Sequence, residues 1–221
     1  MSVTKVTVNG MDMSSDVTLS GTTPTLTIGD AGAEDAAIVF DGNAQDFHIG
    51  LDDTADDLVI GLGSALGTTT HMAFTEAGEI TKPLQPAFGV WPASEQTDIA
   101  VNTAVDIAWG TENYDIGANF ATPNFTAPVT GKYQLNVSLY FAEMQIDSTY
   151  YNLRLVTSNR TYYSLFNSSG LDTTSFQTIT LAALADMDAG DTAKVVIYIG
   201  GGTAGADLPA NNSTFSGFLA T

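Results

Sequence analysis

A proline–glycine turn between two apolar stretches is the feature that most limits the fold of this chain. Residues 125–133 read Phe-Thr-Ala-Pro-Val-Thr-Gly-Lys-Tyr, with Pro128 and Gly131 three positions apart. Proline cannot donate a hydrogen bond to a strand ladder, and glycine tolerates positive φ, so the segment predicts a turn between strands. From Lys132 to Phe141 every second side chain is apolar. This period of two predicts a half-buried strand after the turn.

A second aromatic segment lies at the C-terminus, where residues 213–219 read Ser-Thr-Phe-Ser-Gly-Phe-Leu. In an extended chain, Phe215 and Phe218 point to opposite faces. Aromatic side chains on both faces are typical of a strand that is covered on both sides. The segment therefore predicts a closing strand inside a larger β-structure.

These two segments, preceded by Tyr-Asp-Ile-Gly at residues 114–117, resemble the signature of the C1q/tumour-necrosis-factor-like domain. The resemblance implies an antiparallel jelly roll of about ten strands over residues 87–221. It also implies a homotrimer that serves recognition rather than catalysis, with the closing strand near the threefold axis. Core or trimer contacts are then expected for four aromatic residues, namely Phe125, Tyr133, Phe215 and Phe218.

The composition excludes several classes of protein. The chain has 221 residues and a net charge of −19, from 25 acidic and 6 basic side chains, so it repels phosphate backbones and is not expected to bind nucleic acid. Cysteine is absent, which excludes disulfides and thiolate metal sites. No apolar run reaches the roughly 18 to 20 residues of a membrane helix, so no membrane insertion is expected. Residues 1–10 lack a continuous apolar segment, so we expect no signal peptide.

Aromatic residues divide the chain into two parts. Only Phe40, Phe47 and Phe74 precede Lys82, and all eight tyrosines and both tryptophans follow it. Prolines at positions 83 and 86 mark the junction. We therefore expect an N-terminal part at residues 1–81, a linker at 82–86 and the jelly roll at 87–221.

Short apolar triplets recur through residues 24–80, separated by links rich in glycine and aspartate. They are Leu26–Ile28, Ile38–Phe40, Phe47–Ile49, Leu58–Ile60 and Met72–Phe74. Short strands with such turns predict an all-β repeat. The segment resembles the β-structured shafts of bacteriophage fibres, which implies an extended stalk. One copy buries too little apolar surface to fold alone, so three chains are expected to supply the core together.

An acid-rich link, Asp52-Asp53-Thr54-Ala55-Asp56-Asp57, is the candidate metal site. Carboxylate oxygens in a short loop are ligands for Ca²⁺, and a trimer would bring three copies near one axis. The alternative is a solvated acidic turn without metal. No other cofactor is expected.

Two tyrosine pairs, at residues 150–151 and 162–163, are the candidate binding residues. Neighbours in a strand face opposite sides, so one member of each pair is expected to be exposed. Tyr151 and Tyr163 are expected at the surface, where a tyrosine could stack on a sugar or anchor a protein. The alternative is packing in the core or at the trimer interface.

No motif supports an enzyme. The chain has no Gly-x-Ser-x-Gly sequence, His48 and His71 lack metalloenzyme spacing, and nothing singles out a carboxylate pair for glycoside hydrolysis. The favoured function is a non-enzymatic bacteriophage virion protein on the virion surface: a short fibre, spike or capsid decoration. Its expected partners are its own copies, other virion proteins and a host glycan or protein. The alternative is a bacterial surface or secreted module that binds glycans or proteins.

Overall fold

The computed structural model describes residues 18–168, 175–203 and 205–221. All regular secondary structure in these ranges consists of β-strands. The all-β prediction is therefore confirmed. No helix in the described ranges has the length and apolar character needed to span a membrane. The chain divides into two compact units, Met1–Thr81 and Lys82–Thr221, here called the N-terminal unit and the head unit.

The N-terminal unit contains one antiparallel sheet in which each strand pairs with the next along the chain. Its strands are β1 (Ala36–Phe40), β2 (Phe47–Asp52), β3 (Asp57–Leu62), β4 (Thr70–Phe74) and β5 (Ile80–Thr81). Four of the five apolar triplets lie in strands, whereas Leu26–Ile28 has no regular structure. The triplets thus build four of the five strands of this meander, and the extended stalk stays a prediction.

The loop between β3 and β4 packs over one side of this sheet. At Gly50 a side chain would lie 2.5 Å from the carbonyl oxygen of Ala36 and 2.8 Å from Leu66 of that loop. His48 is buried under the same loop, where its Nδ1 lies 2.9 Å from the carbonyl oxygen of Gly63. Val59 and Ala73 are also buried. This side of the sheet is the small core of the unit.

The head unit is a sandwich of two antiparallel sheets with the strand order of a jelly roll. One sheet has the order β14-β11-β16-β6-β8, and the other has β13-β12-β15-β10-β9, with β7 also beside β15. The eleven strands, one more than the ten expected, are β6 (Ala87–Trp91), β7 (Ala104–Asp106), β8 (Thr111–Ile116), β9 (Phe120–Ala121), β10 (Asn124–Thr126), β11 (Gly131–Met144), β12 (Ser148–Thr157), β13 (Thr161–Asn167), β14 (Ser175–Met187), β15 (Thr192–Gly201) and β16 (Thr214–Leu219).

Residues 82–86, the expected linker, belong to the head unit and form a turn, in which the amide of Gln85 donates to the carbonyl oxygen of Lys82 at 3.0 Å. The closing strand β16 lies in the middle of its sheet, between β11 and β6. Gly217 allows this close approach, because a side chain there would lie 2.5 Å from Leu135 and 2.8 Å from Phe88.

The head core is built on aromatic rings that join the two sheets. Phe88 stacks on Phe125 with ring centroids 4.4 Å apart and meets Phe215 edge-on at 4.9 Å. The Pro-Gly turn is fixed beside this cluster, because the hydroxyl of Tyr133 donates to the carbonyl oxygen of Val129 at 2.8 Å. The sequence motif therefore supplies both the turn and the aromatic residues that hold it.

Candidate functional site

The four aromatic residues implied by the resemblance take different positions. Phe125, Tyr133 and Phe215 are fully buried in the head core. Phe218 points the other way on β16 and is 46% exposed. The first three are thus core residues of one protomer, and Phe218 is available for contact with another molecule.

The surface assignment of Tyr151 is wrong. Its side chain is fully buried, and its hydroxyl accepts a hydrogen bond from the amide of Gln145 at 3.0 Å. Burial raises the pKa of the Tyr151 hydroxyl above the ordinary tyrosine value. Leu153 and Leu155 are buried in the same alternation, so Tyr151 belongs to the core-facing side of β12. Its neighbour Tyr150 is the member of that pair on the outer side.

The acid-rich link forms the hairpin between β2 and β3. The carboxylate of Asp52 accepts hydrogen bonds from the amides of Thr54 and Ala55 at 3.1 and 3.3 Å. Asp53 and Asp56 lie within the turn, where Asp56 adopts φ of 55°, and Asp52 pairs with Asp57 across its base. Among the residues that the structure describes, no three His, Cys, Asp or Glu side chains are arranged to hold a metal ion. Within one chain Asp52 caps the turn, and calcium binding by this link stays a prediction.

A polar and aromatic face lies on the solvent side of the sheet that contains β12. On β12 the core-facing residues alternate with Tyr150, Asn152, Arg154 and Val156, which are only partly buried. Strand pairing places these residues beside outward-facing residues of β13, β15 and β7. We call this surface the Arg154 face. Its central row across the four strands is Tyr163, Arg154, Val196 and Asp106.

Arg154 is held between aromatic rings. Its guanidinium carbon lies 4.8 Å from the ring centroid of Tyr198 and 6.0 Å from that of Tyr163. Tyr198 in turn stacks on Tyr150 with centroids 6.1 Å apart. Cation–π contacts of this kind orient the guanidinium without neutralising its charge. Tyr163, the one predicted surface residue found here, is 62% exposed.

A lysine and an aspartate complete the Arg154 face. Lys194 forms an ion pair with Asp106 at 2.9 Å. An open depression of ≈ 630 Å³ lies between β13, β12, β15 and β7. Its lining includes Arg154, Tyr163, Lys194 and Asp106. The sequence analysis did not single out Arg154, Lys194, Asp106 or Tyr198. Their convergence depends on cross-strand register. The one local signal is the alternation of Leu153 and Leu155 on β12, which would have placed Arg154 on the outward side.

The solvent side of the other head sheet carries exposed apolar side chains beside polar ones, which include Gln134, Asn136 and the ion pair of Lys132 with Asp186. Pairing across all five strands aligns Leu184, Gln134, Phe218, Ala87 and Ile116. Leu184 is 56% exposed, and Phe176 on the same strand is 68% exposed. We call this surface the Phe218 face.

The N-terminal sheet also has an uncovered apolar side, opposite the side covered by the β3–β4 loop. In one row Ile38, Ile49, Ile60 and Met72 are neighbours. The flanking rows are Phe40, Phe47 and Leu62 on one side, where the ring of His71 also contacts Phe47 at 6.1 Å, and Ala36, Leu51, Leu58, Phe74 and Ile80 on the other. We call this surface the N-terminal apolar face. The largest exposed fractions on it are those of Phe40 and Ile80, at 61% and 60%.

No protein-family model and no curated protein matches the chain. Several solved structures do. The globular domain of zebrafish complement 1qA protein is 19% identical with a TM-score of 0.47, and the match covers 62% of this chain and 98% of that domain. Murine APRIL, crystallised at pH 8.0, is 12% identical with a TM-score of 0.46, covering 61% and 98%. Eiger TNF from S. frugiperda is 15% identical with a TM-score of 0.43, covering 62% and 93%.

These solved structures are C1q and TNF-family domains, the fold that the sequence motifs predicted. The description of the head unit as a jelly roll depends on its own strand order and register. The resemblance of residues 1–81 to bacteriophage fibres stays a prediction.

Proposed function

We propose that the protein is a non-enzymatic, homotrimeric structural protein on the surface of a bacteriophage virion, acting as a short fibre, spike or capsid decoration. In this proposal the N-terminal unit attaches to other virion proteins, and the head unit recognises a host surface. The observation that supports it most is the N-terminal apolar face, a sheet side whose large side chains are nearly all apolar, of which Phe40 and Ile80 are more than half exposed.

Such a face is unfavourable in a lone protomer. Fully burying one large apolar side chain contributes roughly 1.5–3 kcal/mol, and the face presents nearly a dozen of them. Contiguous apolar patches on soluble proteins are typical of interaction sites. Because the chain carries a net charge of −19, its copies repel one another elsewhere on the surface. Association through the apolar faces offsets this repulsion.

A threefold assembly is favoured by the head unit. Its strand order places β16 at the centre of the sheet whose solvent side carries the Phe218 face. The C1q/TNF-like resemblance implies packing of this sheet around a threefold axis. Cyclic closure uses one contact repeatedly and leaves no apolar surface free for further growth.

The mass of the full chain in solution tests the assembly. Light scattering at physiological salt should give about three times the 23.1 kDa mass of the chain. Phe40→Glu places a charge within the N-terminal apolar face and should weaken association. The matched control is Asn43→Glu, which adds the same charge to an exposed turn three residues away. A monomer at micromolar concentration, or equal effects of the two variants, would contradict the proposal.

The virion assignment needs its own experiment. Labelling the protein and imaging purified phage particles should show it at regular positions on the particle surface. The alternative is a bacterial surface or secreted binding module. It is compatible with the Arg154 face, because tyrosine rings around an arginine suit ligand binding in either setting. It predicts that the protein fractionates with the cell envelope or the medium and that particles lack the label.

A further inference from the structure

Arg154 is a cation with no anionic partner in the described part of the chain. The ion pairs found there are Lys132 with Asp186 and Lys194 with Asp106. Acidic side chains outnumber basic ones by 25 to 6, yet within the described ranges neither Arg154 nor Arg160 pairs with a carboxylate; of the two arginines, only Arg154 also has a buried side-chain atom without a hydrogen-bond partner. Its guanidinium is positioned only by the rings of Tyr163 and Tyr198. Ring contacts leave the hydrogen-bonding edge of the guanidinium unused.

Two buried polar atoms at the same place also lack hydrogen-bond partners. They are Nε of Arg154 and Oδ1 of Asn152. The two residues are on the same side of β12, two positions apart, and Asn152 is paired across the strands with Tyr198. A buried donor or acceptor without a partner is costly, so a native site of this kind usually has one. An unpartnered donor and an unpartnered acceptor on the same side of one strand fit a site for a ligand that presents both an anion and hydroxyl groups.

The surrounding groups limit what that ligand can be. Tyr163 presents an exposed ring at the edge of the depression, which suits the apolar face of a sugar. Asp106, whose charge is balanced by Lys194, offers a further acceptor for hydroxyl groups. The net charge of −19 opposes a polyanion, so nucleic acids and highly sulfated polymers do not fit. A single carboxylate on a sugar ring meets all these conditions.

We propose that the Arg154 face binds an acidic sugar in the depression, with the carboxylate on Arg154, the ring against Tyr163 and the hydroxyl groups near Asp106. This inference rests on the recognition role proposed for the head and names its site and ligand class. The carboxylate can come from a uronic acid or from a sialic acid. Both supply one negative charge beside several hydroxyl groups.

The test is isothermal titration of the full chain with methyl β-D-glucuronide, N-acetylneuraminate and the neutral methyl β-D-glucoside. We expect one of the two acids to bind, and the glucoside to bind at least tenfold more weakly. Arg154→Gln should weaken binding of that acid roughly ten- to hundredfold, the range expected for lost hydrogen bonds to a charged group. Tyr163→Ala should weaken the acid and the glucoside alike, since the ring contacts the sugar and not the charge.

Arg160→Gln is the matched control, because it removes the same charge. The guanidinium of Arg160 lies over Tyr162, whose side chain packs against the core rather than on the Arg154 face. It should leave acid binding unchanged. Three results would each overturn the site: the acid and the glucoside bind equally, neither acid binds, or Arg154→Gln binds the acid as well as the unchanged protein does. The mass of the same samples separates the proposed sugar site from the proposed trimer. A trimer that binds no acid contradicts only the site. A monomer that binds the acid contradicts only the assembly.

Discussion

Two phenylalanines on the closing strand provide a matched pair for testing the head architecture. Phe215 points into the core, with its ring centroid 4.9 Å from Phe88, 5.9 Å from Trp109 and 6.2 Å from Phe120. Phe218, three residues later on β16, points to the opposite side and is 46% exposed. Replacing each by alanine removes the same atoms from one strand, so any difference in effect reports the environment.

The expected loss for Phe215→Ala is large. Truncating a fully buried phenylalanine costs about 3–5 kcal/mol, from lost apolar transfer and the cavity left behind. The upper part of that range is expected, because three aromatic neighbours lose ring contacts worth roughly 0.5–1.5 kcal/mol each. The strands on either side, at Val137 and Val90, are themselves buried and leave little freedom for collapse. For Phe218→Ala, we expect a folding cost of at most about 1 kcal/mol, together with weaker trimerisation.

Urea denaturation followed by tryptophan fluorescence measures both variants. Trp91 and Trp109 are the two tryptophans of the chain, and both lie in the head unit. With a slope of about 2 kcal/mol/M, a loss of about 4 kcal/mol lowers the midpoint by about 2 M. Repeating the titration at several protein concentrations separates folding from association, because only the associated state depends on concentration.

Two results would contradict the expected difference between Phe215→Ala and Phe218→Ala. Equal midpoint shifts for the two variants, or a shift for Phe215→Ala below about 1 kcal/mol, would show that Phe215 is not at the centre of a packed core. The jelly-roll register that places Gly217 against Phe88 would then be incorrect as well.

Three further outcomes are expected. Asp115→Ala should cost about 1–3 kcal/mol in thermal unfolding, because its carboxylate accepts hydrogen bonds from the amides of Asn119 and Phe120 at 3.0 and 2.9 Å; unchanged melting would contradict this. Burial raises the pKa of Tyr151 above its ordinary value of 10.0, so the folded state favours the neutral phenol. The free energy of unfolding should therefore be constant just below pH 10 and fall as the pH rises beyond it. Denaturation midpoints measure this, and a midpoint that increases above pH 10 would refute the argument. A chain reduced to residues 82–221 should still form a trimer in light scattering but should not join particles that lack the native protein; if it joins them, attachment lies in the head.

Local patterns account for the parts of the head that could be predicted from the sequence. The Pro-Gly turn and the alternation after it specify β11 without reference to distant residues. The same reasoning was incomplete for β12. Adjacent tyrosines face opposite sides, but which one is buried depends on the phase of Leu153 and Leu155, and that phase assigns Tyr151 to the core. Reading the alternation over the whole strand would have selected Tyr150 for the surface.

The Arg154 face could not be predicted because it depends on register between distant strands. Arg154 and Tyr198 are far apart along the chain and meet only because β12 pairs with β15. Period-two alternation reveals which side of a strand a residue is on, but not its neighbour across the ladder. In the N-terminal unit the alternation of β2 and β3 likewise predicts an apolar side. It cannot reveal that the β3–β4 loop covers the other side and leaves this one exposed.

The two sheets of the head have solvent sides of different chemistry, and in the proposed function this difference separates assembly from recognition. The Phe218 face has apolar side chains such as Leu184 and Phe218, whose burial strengthens association between copies. The Arg154 face retains a charged guanidinium between tyrosine rings, a group that is costly to bury without an anion. Association of copies through the Arg154 face would bury Arg154 and Asp106 and is therefore disfavoured. Because packed sheets are separated by about 10 Å of core, a trimer built on the Phe218 face leaves three Arg154 faces open to ligand.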